Sequence, residues 1–151
     1  GNWIKINNGL VPDNAKMASM ALGVNKLVID PFNTDIVYAG TIKGLFKTSN
    51  KGESWSKIQG NFTEPYVSNL VINPSNTSHL YVGTSQGIFE SKDGGEVWVP
   101  KQEGLGNLNI RALVMDPINF QILYCGTNGS GLYKSTDSGN SWMPIPLTLV
   151  P

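Results

Sequence analysis

The feature that most constrains this chain is an internal repeat of 43 residues. Three segments align: LVIDPFNTDIVYAGTIKGLFKTSNKGESW from Leu27, LVINPSNTSHLYVGTSQGIFESKDGGEVW from Leu70, and LVMDPINFQILYCGTNGSGLYKSTDSGNSW from Leu113. The third segment contains one additional residue within Thr127–Gly131. Such a repeat determines the architecture, because each unit forms one supersecondary element and neighbouring units bury each other's apolar faces.

Each unit predicts four short β-strands separated by turns. The first strand is a continuous apolar run such as LVID or ALVMD, which is typical of a strand covered on both faces. An Asp-Pro or Asn-Pro turn leads to the second strand, a glycine turn leads to the third, and the fourth starts at a Trp. This is the size of one β-propeller blade. We therefore predict an all-β single repeat domain, residues 1–151, with blades at approximately 24–62, 67–105 and 110–148.

A second pattern lies between the third and fourth strands of every unit. It occurs as Thr48, Asn50, Gly52 and Trp55; as Ser91, Asp93, Gly95 and Trp98; and as Ser135, Asp137, Gly139 and Trp142. A short acceptor at the third position can bond backbone N–H groups across the turn, and glycine at the fifth can adopt a positive φ. Because Asn50 replaces the carboxylate in one copy, the position needs an acceptor and not a charge. This indicates a structural hairpin and argues against a catalytic acid or a metal ligand.

These three copies resemble the Asp-box, or BNR repeat, found on blade hairpins of β-propellers. Proteins with such repeats include sialidases, family 74 xyloglucan hydrolases, sortilin-type receptors and photosystem II stability/assembly factor-like propellers. The pattern DP-x-N…YxGT…GLYKSTDSGNSW looks most like the xyloglucanase and assembly-factor-like groups. The resemblance implies a propeller fold and an extracytoplasmic or secreted location, but a fold does not decide a function.

The first ten residues match the fourth strand of a blade. WIKINNGL from Trp3 aligns with WSKIQGNF from Trp55 and with WVPKQEGL from Trp98. We therefore expect residues 1–10 to be the outer strand of a preceding or partner blade, so that the chain holds three complete blades plus one surplus strand. Propellers typically have 4–8 blades, and three would leave apolar end faces open. Two explanations remain: the chain is a segment of a longer propeller, or two copies form a homodimer with six blades.

Composition excludes several classes of partner. Eleven basic and eleven acidic residues give a formal net charge of zero, which favours neither nucleic acid nor an anionic membrane. No apolar run of about 18 residues is present, so we expect no membrane insertion. Cys125 aligns with Ala39 and Val82 and is expected in the core. His79, the only histidine, aligns with isoleucines, and we expect no metal and no cofactor.

The residues also argue against two enzyme classes suggested by the resemblance. A sialidase needs a cluster of arginines and a Tyr/Glu nucleophile pair, whereas this chain has one arginine. A xyloglucanase-like inverting hydrolase needs two carboxylates roughly 6.5–9.5 Å apart and, in that family, a cleft between two propellers. Carboxylates not explained by the repeat include Asp13, Asp35, Glu64 and Glu103, and none forms a recognisable pair. We therefore name no catalytic residue.

The sequence favours a non-catalytic binding or scaffolding propeller with a glycan or protein ligand. Its ligand face would be built from the loops that join fourth to first strands and second to third strands. The residues there that depart from the repeat are Tyr66, Arg111, Asn128, Lys43 and Gln86. An aromatic ring, a cation and amides suit polar or glycan ligands. The alternative is a fragment of a family 74-like glycoside hydrolase.

Overall fold

The computed structural model describes residues 1–10, 22–61 and 66–147, and within these ranges every regular element is a β-strand. The strands are β1 Val24–Ile29, β2 Val37–Thr41, β3 Gly44–Thr48, β4 Ser56–Ile58, β5 Val67–Asn73, β6 Asn76–Thr84, β7 Gly87–Ser91, β8 Val99–Pro100, β9 Ile110–Met115, β10 Leu123–Thr127, β11 Leu132–Ser135 and β12 Met143–Pro144. The prediction of an all-β fold is confirmed.

The strands form three four-stranded antiparallel sheets, each a meander in chain order. We call them blade 1 (β1–β4), blade 2 (β5–β8) and blade 3 (β9–β12). The first strands of successive blades lie side by side, with β1 next to β5 and β5 next to β9. Each repeat unit of the sequence is therefore one sheet, as predicted.

The apolar core lies between the blades. One cluster joins blades 1 and 2 through Tyr38, Leu45, Val67, Leu70, Ile72, Leu80, Val82, Phe89 and Trp98. A second joins blades 2 and 3 through Tyr81, Ile88, Ile110, Leu113, Leu123, Cys125, Tyr133 and Trp142. Successive residues of a strand point to opposite faces, so Leu70 packs toward blade 1 while Val71 packs toward blade 3. The prediction that first strands are covered on both faces describes β5, whereas β1 is mostly exposed because no blade covers its other face.

Each first strand carries a β-bulge at its second residue. The pairing register shifts there in all three blades, and the bulged residues are Asn25, Ser68 and Arg111. A bulge re-aims a side chain out of the regular alternation. In blade 1 the amide Nδ2 of Asn25 donates to the carbonyl of Val67 at 2.8 Å. In blade 2 the hydroxyl of Ser68 donates to the carbonyl of Ile110 at 2.6 Å, so each bulge ties its blade to the next one.

The turn and Trp at the start of each fourth strand, Thr48–Trp55, Ser91–Trp98 and Ser135–Trp142, are called here the Gly-Trp hairpins. In blade 3 the backbone N–H of Gly139 donates to Ser135 Oγ at 2.8 Å, and Ser135 Oγ donates to Asp137 Oδ1 at 2.7 Å. The N–H of Ser141 donates to the same carboxylate oxygen at 2.9 Å. Blades 1 and 2 repeat these three bonds, with the amide oxygen of Asn50 as the acceptor in blade 1. The position therefore works through an acceptor oxygen, with or without a charge.

The Trp of each hairpin is buried against neighbouring chain. The N–H of Trp142 donates to the carbonyl of Glu103 at 2.8 Å, and its indole N–H donates to the carbonyl of Lys101 at 3.0 Å. Both carbonyls belong to the segment that follows β8 of blade 2, so the Trp fastens each blade to the outer edge of the blade before it.

Residues 6–10 occupy the corresponding place on blade 1. The N–H of Trp55 donates to the carbonyl of Asn8 at 2.8 Å, its indole N–H donates to the carbonyl of Ile6 at 2.9 Å, and Leu10 is buried beside it. The structure assigns no strand to residues 1–10, because none of the described strands lies where a third strand of the same blade would pair with them. That these residues belong to a preceding or partner blade stays a prediction.

The fourth position of the Gly-Trp hairpin has a conformation that the sequence analysis did not anticipate. Lys51 and Ser138 have φ of 59° and 60°, and the equivalent Gly94 has φ of 76°. An L-residue with a side chain pays roughly 1–2 kcal/mol in this left-handed region, whereas glycine does not. Two of the three hairpins therefore hold a strained residue where the third holds glycine.

We predict that Ser138→Gly raises the free energy of unfolding by about 0.5–1 kcal/mol, measured by urea denaturation, because it relieves this strain at a modest entropic cost. Thr136→Gly is the matched control, since Thr136 lies in the same hairpin without a positive φ and should lose stability as glycine. Destabilisation by both substitutions would contradict this account of the hairpin.

Candidate functional site

The five residues predicted to bind ligand all lie at one end of the blades, which we call the loop end. This end consists of the starts of the first strands and the turns that join second to third strands. The opposite end, with the Gly-Trp hairpins, is called the hairpin end. The side chains at the loop end come from all three blades: Lys43 from blade 1, Tyr66 and Gln86 from blade 2, and Arg111 and Asn128 from blade 3. The structure thus brings them to one end without joining them into one pocket.

The turns at the loop end are held by threonines that close the second strands. The hydroxyl of Thr41 donates to the carbonyl of Gly44 at 2.8 Å and accepts the N–H of Lys43 at 3.0 Å. Thr84 makes the same pair of bonds in blade 2, where its hydroxyl accepts the N–H of Gln86. Lys43 and Gln86 therefore project from equivalent turns of fixed backbone geometry.

The turn of blade 3 is longer and is tied to the loop before β9. The N–H of Asn128 donates to the carbonyl of Asn109 at 2.8 Å, and Asn107 Nδ2 donates to the carbonyl of Asn128 at 3.0 Å. Asn109 N–H in turn donates to Asn107 Oδ1 at 2.8 Å. These bonds use the backbone of Asn128, and its side chain is exposed on an ordered turn.

A groove of about 340 Å³ runs along the first strands toward the hairpin end. Its walls are mostly apolar, with Val71, Met115 and Pro117 among them, and its charged members are Lys26 and Asp116. Backbone N–H bonds from the residues of its own turn hold the pKa of the Asp116 carboxyl below its usual range, so this charge serves the turn. The five predicted binding residues do not line this groove.

The most unusual chemistry in the described residues is a buried charge cluster on blade 2. Glu90 is 4% exposed, and its Oε1 lies 2.7 Å from His79 Nε2 and 3.0 Å from the Tyr81 hydroxyl. Its Oε2 lies 3.1 Å from Lys101 Nζ. Lys101 Nζ also donates to Asn140 Oδ1 of blade 3 at 2.6 Å. The cluster therefore links the outer part of blade 2 to the Gly-Trp hairpin of blade 3.

This cluster perturbs the acidity of its members. Burial alone would raise the pKa of Glu90, but hydrogen bonds from His79, Lys101 and Tyr81 outweigh it and lower the pKa from 4.5 to about 2. Burial, together with the charge of Glu90, raises the pKa of Tyr81 above its ordinary range. At neutral pH Glu90 is thus an ionised carboxylate with both oxygens occupied, and Tyr81 is a protonated phenol.

A cavity of about 290 Å³ opens beside the cluster and is lined by Glu90, Lys92, Asp93, Val97, Val99 and Lys101. Its two carboxyls could suggest acid/base chemistry. The pKa of Asp93 is lowered by backbone N–H bonds, that from Val97 first, and by the hydroxyl of Ser91. An inverting glycosidase needs one of its two carboxyls protonated, with a raised pKa. Neither Glu90 nor Asp93 meets that requirement.

The sequence carried a signal for this cluster that was missed. Glu90 stands where the other units have Lys47 and Lys134, Lys101 stands at an isoleucine position, and His79 does so as well. Three departures from the repeat in one blade are a sign of a local network. Their contact depends on strand register, since Glu90 pairs with Tyr81 on one side and Val99 on the other.

Other reactive groups offer no site. Cys125 is buried, and burial raises the pKa of its thiol to about 12, so it is a core residue as predicted. Across residues 1–10, 22–61 and 66–147, no group of three or more His, Cys, Asp or Glu side chains is placed to hold a metal ion. These same ranges contain no helix of the length and apolarity that crossing a bilayer requires.

Solved structures with the same fold are known. This chain is similar to the GH74 enzyme of Niastella koreensis (25% identity, TM-score 0.66, 83% of this chain and 23% of that one). It is also similar to YCF48 bound to D1 peptide (14% identity, TM-score 0.63, 80% and 40%). A third is the extracellular domain of the putative hybrid two component system BT3049 from B. thetaiotaomicron (19% identity, TM-score 0.66, 82% and 18%). No family model and no curated protein matches the chain.

These likenesses define the class of the fold. The three sheets are consecutive blades of a β-propeller, and the chain forms a partial propeller. It spans less than half the length of each solved chain described above.

We predict that Glu90→Gln lowers the free energy of unfolding at pH 7 by about 2 kcal/mol, because it removes the buried charge that His79, Tyr81 and Lys101 surround. A carboxylate with a depressed pKa contributes stability that is complete above 4.5 and is lost as the pH falls to about 2. The difference between Glu90→Gln and the wild type should therefore shrink over that range in urea denaturation.

Glu96→Gln is the control, since Glu96 is exposed on the same blade and should change stability by less than about 0.5 kcal/mol. A Glu90→Gln protein as stable as the wild type at pH 7, or a difference that persists unchanged at pH 2, would show that the cluster does not stabilise the blade.

Proposed function

We propose that this chain is a non-catalytic β-propeller module that binds a ligand through its loop end. The observation that carries the proposal is the placement of Tyr66, Lys43, Gln86, Arg111 and Asn128 at the same end of three adjoining blades. They are the side chains that depart from the repeat at the loop end, on turns whose backbone is fixed by internal hydrogen bonds. A rigid scaffold that presents variable loop residues is the usual arrangement of a binding face.

Several finer proposals accompany it. The hydrogen bonds of the Gly-Trp hairpins support their assignment as Asp-boxes. The GH74 likeness favours a glycan as the ligand, and the YCF48 structure with D1 peptide supports a protein ligand as well. The extracellular domain of BT3049 supports an extracytoplasmic or secreted location.

The alternative function is that of a fragment of a GH74-like hydrolase, which the likeness to GH74 enzymes favours. The ionised state of Glu90 and Asp93 opposes catalysis at the cavity beside them. A catalytic centre would then require carboxylates that come from outside the described blades.

The test is to apply the purified chain to a glycan array that includes xyloglucan oligosaccharides, and to assay release of reducing ends from xyloglucan. We expect binding without hydrolysis. Tyr66→Ala and Asn128→Ala should each weaken the bound signal by about tenfold, as expected for central contact residues.

Gln121→Ala serves as the control, because Gln121 is exposed at the hairpin end and should leave binding unchanged. Release of reducing ends would favour the hydrolase alternative. Absence of binding, or equal loss in Gln121→Ala and Tyr66→Ala, would contradict a glycan-binding loop end.

A further inference from the structure

Both end faces of the partial propeller are apolar and uncovered. Leu27 on β1 is 59% exposed, whereas Leu70 at the equivalent position of blade 2 is 1% exposed. Leu132 on β11 is 45% exposed, whereas its equivalent Leu45 is 1% exposed. Blade 1 thus exposes the face that blade 2 turns toward blade 1, and blade 3 exposes the face that blade 2 turns toward blade 3.

Neighbouring blades meet at a bare glycine. A methyl carbon built on Gly40 would lie 2.9 Å from Val67 Cγ1 of the next blade, and one built on Gly83 would lie 2.7 Å from Ile110 Cγ2. Both distances are too short for a real contact, so each glycine forms a socket for one β-branched side chain. Val67 and Ile110 are fully buried as a result.

The third socket has no occupant within the described blades. Gly126 is the equivalent of Gly40 and Gly83, and a methyl carbon built there meets Ala112 Cβ and Leu132 Cδ2 at an ordinary 3.5 Å. The matching side chain at the other end of the molecule is Val24, which is 46% exposed. Socket and side chain are therefore both present, at opposite ends of one chain.

The bulge and the outer edge repeat the same correspondence. The bulged Asn25 and Ser68 donate to the carbonyls of Val67 and Ile110, the very residues that fill the sockets. The third bulge carries Arg111, whose exposed guanidinium has N–H donors for the same bond. Further out, the hydroxyl of Tyr81 lies 3.1 Å from the carbonyl of the fourth hairpin position in the next blade. Tyr124 and Lys51 hold these two positions at the open ends.

We propose that a second copy of this chain docks head to tail on blade 3. Val24 of the second copy enters the socket at Gly126, the carbonyl of that Val24 accepts a hydrogen bond from Arg111, and Leu27 covers Leu132. The same contact at the other end closes a ring of six blades, within the usual range for propellers. This goes beyond ligand binding, because it assigns Arg111 to a contact between copies.

A second copy is the occupant that the chain itself specifies. Its exposed face carries the residue types that already fill this interface twice within one chain. The outer edge can also be shared: β12 keeps its place on blade 3, and residues 6–10 of the docking copy continue it. Trp3 and Ile4 of that copy would superpose on the start of β12, and both are almost fully exposed, so they can move aside without losing contacts.

Light scattering on a size-exclusion column, over a range of protein concentrations, tests the proposal. We expect a mass that rises from 16.4 kDa toward twice that value and no further. Gly126→Ala should raise the dissociation constant about tenfold or more, because its methyl fills the socket. The same methyl makes only ordinary contacts within blade 3, so the variant should remain folded, as circular dichroism would verify.

Two further variants sharpen the result. Ser130→Ala, an exposed change in the neighbouring turn, should associate like the wild type. Arg111→Glu, which has no side-chain donor, should weaken association, whereas Arg111→Asn keeps the donor that Asn25 uses and should retain more of it.

A monomer at every concentration would overturn the proposal, as would a Gly126→Ala protein that associates like the wild type. A mass that keeps growing beyond two copies would rule out the closed ring. Glycan binding is measured separately on the array, so a monomer that binds there would sink the ring and leave the proposed function in place.

Discussion

The structure depends on one recurring contact, the seating of a β-branched side chain of one blade against a bare glycine of the blade before it. Gly40 receives Val67 and Gly83 receives Ile110 at distances that leave no room for a Cβ. This close approach lets whole sheet faces meet, so the core forms between the blades. Neither face of a single blade is satisfied alone, which is why stability and assembly are governed by the same surfaces.

The hairpin end and the loop end have different tasks. At the hairpin end, backbone N–H groups are saturated by Asp or Asn acceptors, and Glu90 is held ionised among His79, Tyr81 and Lys101. The charge there is committed to holding blade 2 against blade 3. At the loop end the turns are fixed by their own threonines, so their side chains can vary without cost to the fold. This division places ligand recognition at the loop end and makes the acidic groups of the hairpin end structural.

The repeat was enough to predict the three blades, their strand order and the acceptor role of Asn50, because those properties follow from local pattern and spacing. It did not predict the left-handed conformation of Lys51 and Ser138, which depends on how the turn closes. Nor did it predict the Glu90 cluster, whose members meet only through strand register and contact with blade 3. The bulge that re-aims Arg111 is likewise set by pairing between β9 and β10. Individual side chains were thus predictable where the repeat conserves an environment, and unpredictable where one blade departs from it.

The most direct test of the shared blade contact is a disulfide between two populations of the chain, one with Val24→Cys and one with Gly126→Cys, both with Cys125→Ala. The Cβ position built on Gly40 is 3.6 Å from Val67 Cβ, and that on Gly83 is 3.3 Å from Ile110 Cβ, close to the separation a disulfide requires. Under mild oxidation, the mixed populations should give a covalent species of twice 16.4 kDa that neither population gives alone. No cross-link in the mixture, or equal cross-linking within each separate population, would contradict the head-to-tail contact.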